Sequence, residues 1–355
     1  MSPVAGLVRL RKHQFGRQQL MGTVVAATRA YPHTGTPSVD LAWTDPEIDV
    51  GSRDIVAPPT RGPSELTAGL DSPQLMYNNL PKIFSGFFGG AESPTGGAAK
   101  TWRWQPASST IDVIDPYTYE FGDDVTTDWY QLGDGIIESF EITGPEGLGV
   151  LTATETWRFG SVASTGSTDS PVSGTVPTPA LTVSTTDVPI FLKDAGIYIA
   201  SSVGGLGAGQ ITDALHTFTL RGSQEIDLKR YANATQTFDI SDYGPGARTI
   251  ELECTFAKTS DTVGTGSESD AWMSDVAVNR YIRLTFTSTA FATGATPYSW
   301  TFDMPARYYT REEGEIGGNS TIVLTAHAFY DGTNEVFDTT VVNTLTEAML
   351  GDNGS

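Results

Sequence analysis

The chain has 355 residues, with 21 Lys+Arg against 42 Asp+Glu and a formal charge of −21, so it is no general binder of phosphate backbones, a task that needs clustered cations. Its single cysteine excludes a disulfide scaffold and a Cys-rich zinc site, and four scattered histidines (His13, His33, His216, His327) speak against a His-metal cluster. With 39% hydrophobic and 10% aromatic residues it can fold around a core, and no stretch approaches the roughly 20 apolar residues of a membrane span.

Residues 1–30 hold Arg9, Arg11, Lys12, Arg17 and Arg29 and no acid, so a basic N-terminal arm is expected. It has no apolar run before a cleavage site, and no secretory signal is expected. Residues 31–160 read as a β-rich part with one helix near 63–84. There Leu66/Leu70 and Met76/Leu80 are each four apart, Ser72 can cap with Pro73 following, and Pro81 would end or kink the helix. Residues 104–157 contain 11 carboxylates and no Lys or Arg. Within them GIIESFEIT (135–143) and GVLTATETWRF (149–159) form a predicted hairpin, with Leu151, Ala153, Trp157 and Phe159 on one face.

Residues 161–187 are Ser/Thr/Pro-rich, as in a linker or long loop. Residues 188–350 read as a second β-rich part with a short helix near 270–280. Period-two alternation puts Ile250, Leu252, Cys254 and Phe256 on one face, then Ile282, Leu284 and Phe286, then Tyr298, Trp300, Phe302 and Met304. The fold class is mainly β: a sandwich or barrel with a flanking helix, either a duplicated module or one sandwich with a large second β part.

Little in the chain reads as reactive. Cys254 lies on an apolar strand face, as a buried structural thiol would. His216 and His327 sit within predicted strands with no carboxylate spaced to orient them. G-x-S-x-G, H-E-x-x-H, P-loop and dinucleotide signatures are missing. Asp123, Asp124, Asp128 and Asp134 offer oxygen ligands without EF-hand spacing. Glu120 with Asp134 is conceivable as a glycosidase pair, but nothing fixes their separation.

The chain resembles the major tail tube proteins of long-tailed (siphovirus-like) phages of actinobacterial hosts. The resemblance rests on QLMGTVVAA leading to LAWTDPEIDVGSRD, on ELTAGLDSPQLMYNNLPKIFSGFFGG, on WRWQP and DPYTYEFGD before the hairpin GIIESFEITGPEGLGVLTATETWRFG, and on TFTLRG…ANATQTFDI with RYIRLTF…YSWTFDM. It implies a tail-tube-type β-sandwich with no catalytic, cofactor or metal residues. It also implies homo-oligomeric rings, hexameric by family norm or trimeric if the subunit is doubled. These would stack in a virion tail assembled in the host cytoplasm, with tape-measure, tail-terminator and tip proteins as partners and double-stranded DNA in transit. No membrane is involved.

Charge then suggests assignments. The cation-free segment is expected to line the lumen through Glu120, Asp123, Asp124, Asp128, Asp134, Glu138 and Glu141, since an acidic wall repels the duplex. Arg9, Arg11, Lys12 and Arg17, with Phe84, Phe87 and Phe88, are expected at inter-subunit contacts, and deleting residues 2–17 should block polymerisation while leaving a folded monomer. The alternative is a carbohydrate-binding β-sandwich module of a virion or cell-surface protein, which requires an exposed aromatic platform. A glycan hydrolase requires a cleft holding two acids.

Overall fold

A computed structural model describes residues 11–18, 21–22, 24–40, 43–44, 60–61, 65–89, 92–106, 114–123, 129–147, 149–162, 181–207, 210–211, 214–229, 242–259, 279–333 and 336–346. The strands begin with β1 (Arg11–Arg17), β2 (Arg29–Tyr31), β3 (Thr34–Asp40), the small ribbon β4 (Trp43–Thr44) and β5 (Thr60–Arg61), and β6 (Glu65–Ser72). Helix α1 (Leu80–Phe88) follows, then β7 (Glu92–Thr95), β8 (Lys100–Trp104), β9 (Tyr117–Asp123), β10 (Trp129–Gly144), β11 (Thr152–Phe159) and β12 (Ser161–Val162). The remainder is β13 (Ala195–Ala200), β14 (Gln210–Ile211), β15 (Leu215–Lys229), β16 (Asp242–Ala257), β17 (Arg280–Thr293), β18 (Thr296–Ile316), β19 (Asn319–Ala328) and β20 (Asp338–Asn343).

Described strand pairings are antiparallel and build three layers that share two long strands. A wide sheet runs β3–β6–β11–β10–β15–β16–β19–β18. Near Ala306 strand β18 passes into a second sheet, β14–β13–β17–β18–β20–β8–β7. The first part of β10 belongs to a third, β2–β1–β9–β10–β12. Among the described residues the pairings end at β3, β7, β14 and residues 307–316 of β18 without closing into a ring. β10 changes sheet at Asp134, whose φ of 57° is the left-handed conformation that Asp tolerates better than most residues. Neighbouring Gly135 has no room for a Cβ, which would lie 2.4 Å from the Phe159 ring.

The predicted strand faces are the core faces. Ile250, Leu252, Cys254 and Phe256 of the wide sheet are buried, as are Ile282, Leu284, Phe286, Trp300, Phe302 and Met304 of the second. Phe218 meets Phe286 at 5.4 Å and Phe286 stacks on Trp300 at 5.0 Å, so the two sheets form a sandwich. Burying such side chains contributes about 1.5–3 kcal/mol each.

The helix is not where the spacing put it. Glu65–Ser72 is strand β6, with Leu66, Ala68, Leu70 and Ser72 buried in alternation. Leu66 and Leu70 satisfy a period of two as well as a helical turn, and pairing with both β3 and β11 decides the case. The helix begins at Leu80, with Pro81 in its first turn, where a missing N–H costs nothing, rather than at its end. All its residues are buried. Phe84 contacts Trp104, Phe140, Trp300 and Phe337, and Phe87 meets Phe88 and Phe140. Phe84, Phe87 and Phe88 therefore fill the chain's own core; they are not the inter-subunit contacts expected, because a central helix has no free face.

The two β-rich parts interlock. Residues 139–144 pair with 218–223, and β8 pairs with β20, across the 161–187 segment. Most of that segment, and most of the expected helix near 270–280, lie outside the described residues; Arg280 already belongs to β17.

Gly86 of α1 faces Trp157 and Ile137, and a Cβ there would approach Trp157 Cη2 to 2.9 Å. Gly86→Ala is expected to cost about 1–3 kcal/mol through overpacking. A shift of the guanidinium midpoint checks it; an unchanged midpoint would contradict the close approach.

Candidate functional site

The expected lumen set divides in two. Glu120, on β9, is buried. It accepts hydrogen bonds from Gln14 Nε2 at 3.0 Å, Gln131 Nε2 at 3.1 Å and the Ala27 amide at 3.1 Å, so it ties the third sheet together. Asp134 is buried at the β10 bend and accepts from the Gly22 amide at 2.7 Å and Ser161 Oγ at 3.0 Å. Burial raises its pKa against the pull of those two bonds. Neither residue can line a bore, and neither opens on a cleft, because a carboxylate taken out of water must be satisfied from within. Asp123 ends β9; its side chain, Asp124 and Asp128 lie outside the described residues.

Glu138 and Glu141 are different: both point away from the core on the outer face of the wide sheet. Cross-strand register builds a continuous row there, Asp71–Thr154–Glu141–Arg221–Glu251–His327–Arg307, from β6 to β18. A parallel row runs Thr152–Thr143–Thr219–Glu253–Thr325–Thr310. Arg221 is gripped by Glu141 at 2.8 Å, Glu251 at 2.8 Å and Glu253 at 3.2 Å, so three carboxylates surround one guanidinium. Arg158 pairs with Glu138 at 3.0 Å. Burial works to raise the Glu251 pKa, but hydrogen bonds from Tyr309, Arg221 and His327 outweigh it and hold the carboxyl below its usual value. The face is hydroxyl-rich, net acidic, and its central cation is already engaged.

The basic segment is no free arm from residue 11 onward. Arg11–Arg17 is β1, paired on both sides, with Gln14 and Phe15 buried. Arg17 pairs with Asp115, and the Arg11 guanidinium lies 5.6 Å from the Phe121 ring centroid. Lys12 sits half-buried in the same strand, and Arg9 lies outside the described residues. Deleting residues 2–17 would therefore remove a core strand; only a truncation ending before Arg11 leaves β1 in place.

The sequence reading missed a buried polar centre beneath the wide sheet. Lys82 of α1 and Glu155 of β11 are both fully buried, with Nζ 2.5 Å from Oε2. His33 Nε2 lies 2.7 Å from Nζ, and its Nδ1 lies 2.8 Å from Ser72 Oγ. Trp157 Nε1 donates to Glu155 Oε2 at 2.9 Å, and the Phe15, Tyr31 and Trp157 rings surround the ammonium at 4.5–5.4 Å. His13 stands edge-on to His33 at 6.1 Å and contacts the Tyr119 hydroxyl at 2.8 Å. Burial, reinforced by Lys82 and then Arg11, pushes the His13 pKa down to about 4, and His33 is lowered in the same sense.

An acid response follows. Between pH 6.5 and about 4 the unfolded chain binds a proton at His13 that the folded chain refuses, so stability falls as pH falls through that window. The loss from His13 should be of the order of 3 kcal/mol. Denaturant midpoints at a series of pH values measure it, and a flat profile would contradict it.

One open groove of about 370 Å³ is lined by Leu192, Ile197, Ile211 and Ala214, with Glu146 and His216 beside it. Among the described residues no group of His, Cys, Asp and Glu is placed to hold a metal ion, and no helix is long and apolar enough to cross a membrane. Cys254 is buried and burial raises its thiol pKa, which makes it inert. Trp102, Trp104, Trp157 and Trp300 are all core residues, not a stacking platform.

No family model matches the sequence, and no curated protein matches it. Among solved structures, the fold is similar over part of its length to the SPP1 tail tube determined by solid-state NMR and cryo-EM. Identity is 16%, 46% of this chain and 84% of that chain are covered, and the TM-score is 0.27, too low to equate the two folds.

Proposed function

We propose that this chain is a structural subunit that polymerises into stacked rings forming a hollow phage tail tube, as its sequence resemblance implies. The observation that carries the reading is the outer face of the wide antiparallel sheet. It carries polar rows from β6 to β18, holds its central arginine within three carboxylates, and among the described residues ends in open edges at β3 and at residues 307–316 of β18. Open edges are natural polymerisation surfaces. Joining β3 of one subunit to β18 of the next would continue the rows of Thr and Glu around a bore.

Such a wall suits a conduit. DNA carries one negative charge per about 1.7 Å of axis and is held by cations that release its counterions. A face on which carboxylates outnumber arginines, with Arg221 and Arg158 already paired to carboxylates, offers little such grip. Tape-measure and tail-end proteins would be its other partners, the virion tail its location, and rings of six the expected number. The chemistry is non-enzymatic: shape and repulsion act, and no bond is made or broken in transit.

Assembly must overcome the mutual repulsion of chains at −21. Raising salt should therefore promote polymerisation. Sedimentation of concentrated protein across a salt series, with electron microscopy of the fast fraction, tests this. Tubes that increase with salt are expected; monomer at every salt and concentration would overturn the proposal.

A further inference from the structure

We propose that Lys82 and Glu155 condense into an internal amide bond that staples helix α1 to strand β11. The proposal rests on the geometry of the buried centre and not on the assembly reading. Nucleophile and carboxyl are in contact at 2.5 Å and both are fully buried. Burial disfavours the charged amine, and the free amine is the nucleophilic form. The aromatic wall of Phe15, Tyr31 and Trp157 excludes the water that would reverse the reaction.

The groups needed to move protons are in place. With Nδ1–H donating to Ser72 Oγ, His33 presents Nε2 as an acceptor to Lys82 Nζ at 2.7 Å. The same Nε2 is 3.8 Å from Glu155 Oε1, an oxygen that no hydrogen bond occupies. The other oxygen, Oε2, takes the indole N–H of Trp157 at 2.9 Å, a donor placed to hold charge developing there.

The step balances from the ion pair. One ammonium proton passes to the carboxylate, giving amine and acid. The nitrogen lone pair attacks Cδ and forms the C–N bond. His33 Nε2 takes a second proton from nitrogen and delivers it to the Oε1 hydroxyl. The Cδ–Oε1 bond breaks, water leaves, and the amide remains with one hydrogen on nitrogen. No oxidant, metal or activating nucleotide is required. His33 touches the reacting atoms and is the general acid–base; the backbone of Asp71, which hydrogen-bonds the ring, and Ser72 Oγ position it.

The test is the mass of the purified full chain, read after denaturation and followed by peptide mapping. The expected mass is lower than that of the sequence by one water, and the map contains a branched peptide joining Lys82 to Glu155. The branch is decisive, because a succinimide at Asp134–Gly135 would also lose one water. Lys82→Arg should show the full mass at this site. His33→Phe should slow the condensation by about 10²–10⁴-fold, and Ser72→Ala, the smaller change, should slow it too. Linear Lys82 and Glu155 peptides from natively folded chain after prolonged incubation would overturn the proposal, as would a branch whose rate His33→Phe and Ser72→Ala leave unchanged.

Discussion

Measured against freshly folded chain in which Lys82 and Glu155 are still an ion pair and not yet joined, Lys82→Met is expected to destabilise the fold by about 3–5 kcal/mol, and Lys82→Met combined with Glu155→Leu to recover most of that loss. Methionine fits the space of the lysine stem but leaves the Glu155 carboxylate buried with only Trp157 Nε1 and a neutral imidazole nearby. Removing both charges removes the desolvation cost on both sides. The double-mutant cycle, by guanidinium denaturation at neutral pH, should show a coupling of several kcal/mol. An additive pair, or a single change costing under about 0.5 kcal/mol, would contradict a buried charge at this place.

Reversing the outer face should change how the assembled protein meets DNA. Glu141→Lys, Glu251→Lys and Glu253→Lys together replace three carboxylates around Arg221 by three ammoniums, all on half-exposed positions of the wide sheet. The parent assembly should retain no duplex. The triple variant should bind it, and with three phosphates neutralised its affinity should fall about 40-fold as salt rises from about 50 to about 200 mM. Fluorescence anisotropy with a short duplex measures both. Equal binding by parent and variant would mean that this face never meets the cargo.

Much of the fold was legible in the sequence because half-buried strands alternate. Residues 249–256, 281–286 and 298–304 declared their core faces in advance, and the structure buries those side chains. The helix was misplaced for a physical reason: Leu66 and Leu70 suit either period, and only the flanking strands β3 and β11, distant in sequence, decide between them. The buried centre left a trace that went unread. Glu155 falls on the same strand face as Leu151, Ala153, Trp157 and Phe159, and a carboxylate at an apolar register must find a buried cation or buried donors. Its partner Lys82 is 73 positions away, so no local spacing reveals it. His13 and His33 looked scattered, yet the β1–β2 register sets His13 opposite Tyr31 and brings the two rings together. The acidic stretch 104–157 was correctly seen as one-signed, but charge alone does not say which carboxylates face water. Strand register does, and it turns Glu120 inward and Glu141 outward.

The most direct test of the central claim is a cryo-EM map of the polymer formed by the full chain. The account predicts a hollow tube whose bore is walled by the outer face of the wide sheet, with Glu141, Glu251 and Glu253 toward the axis. A bore walled by another face or coated with lysine and arginine, or a preparation of dispersed monomers only, would contradict it.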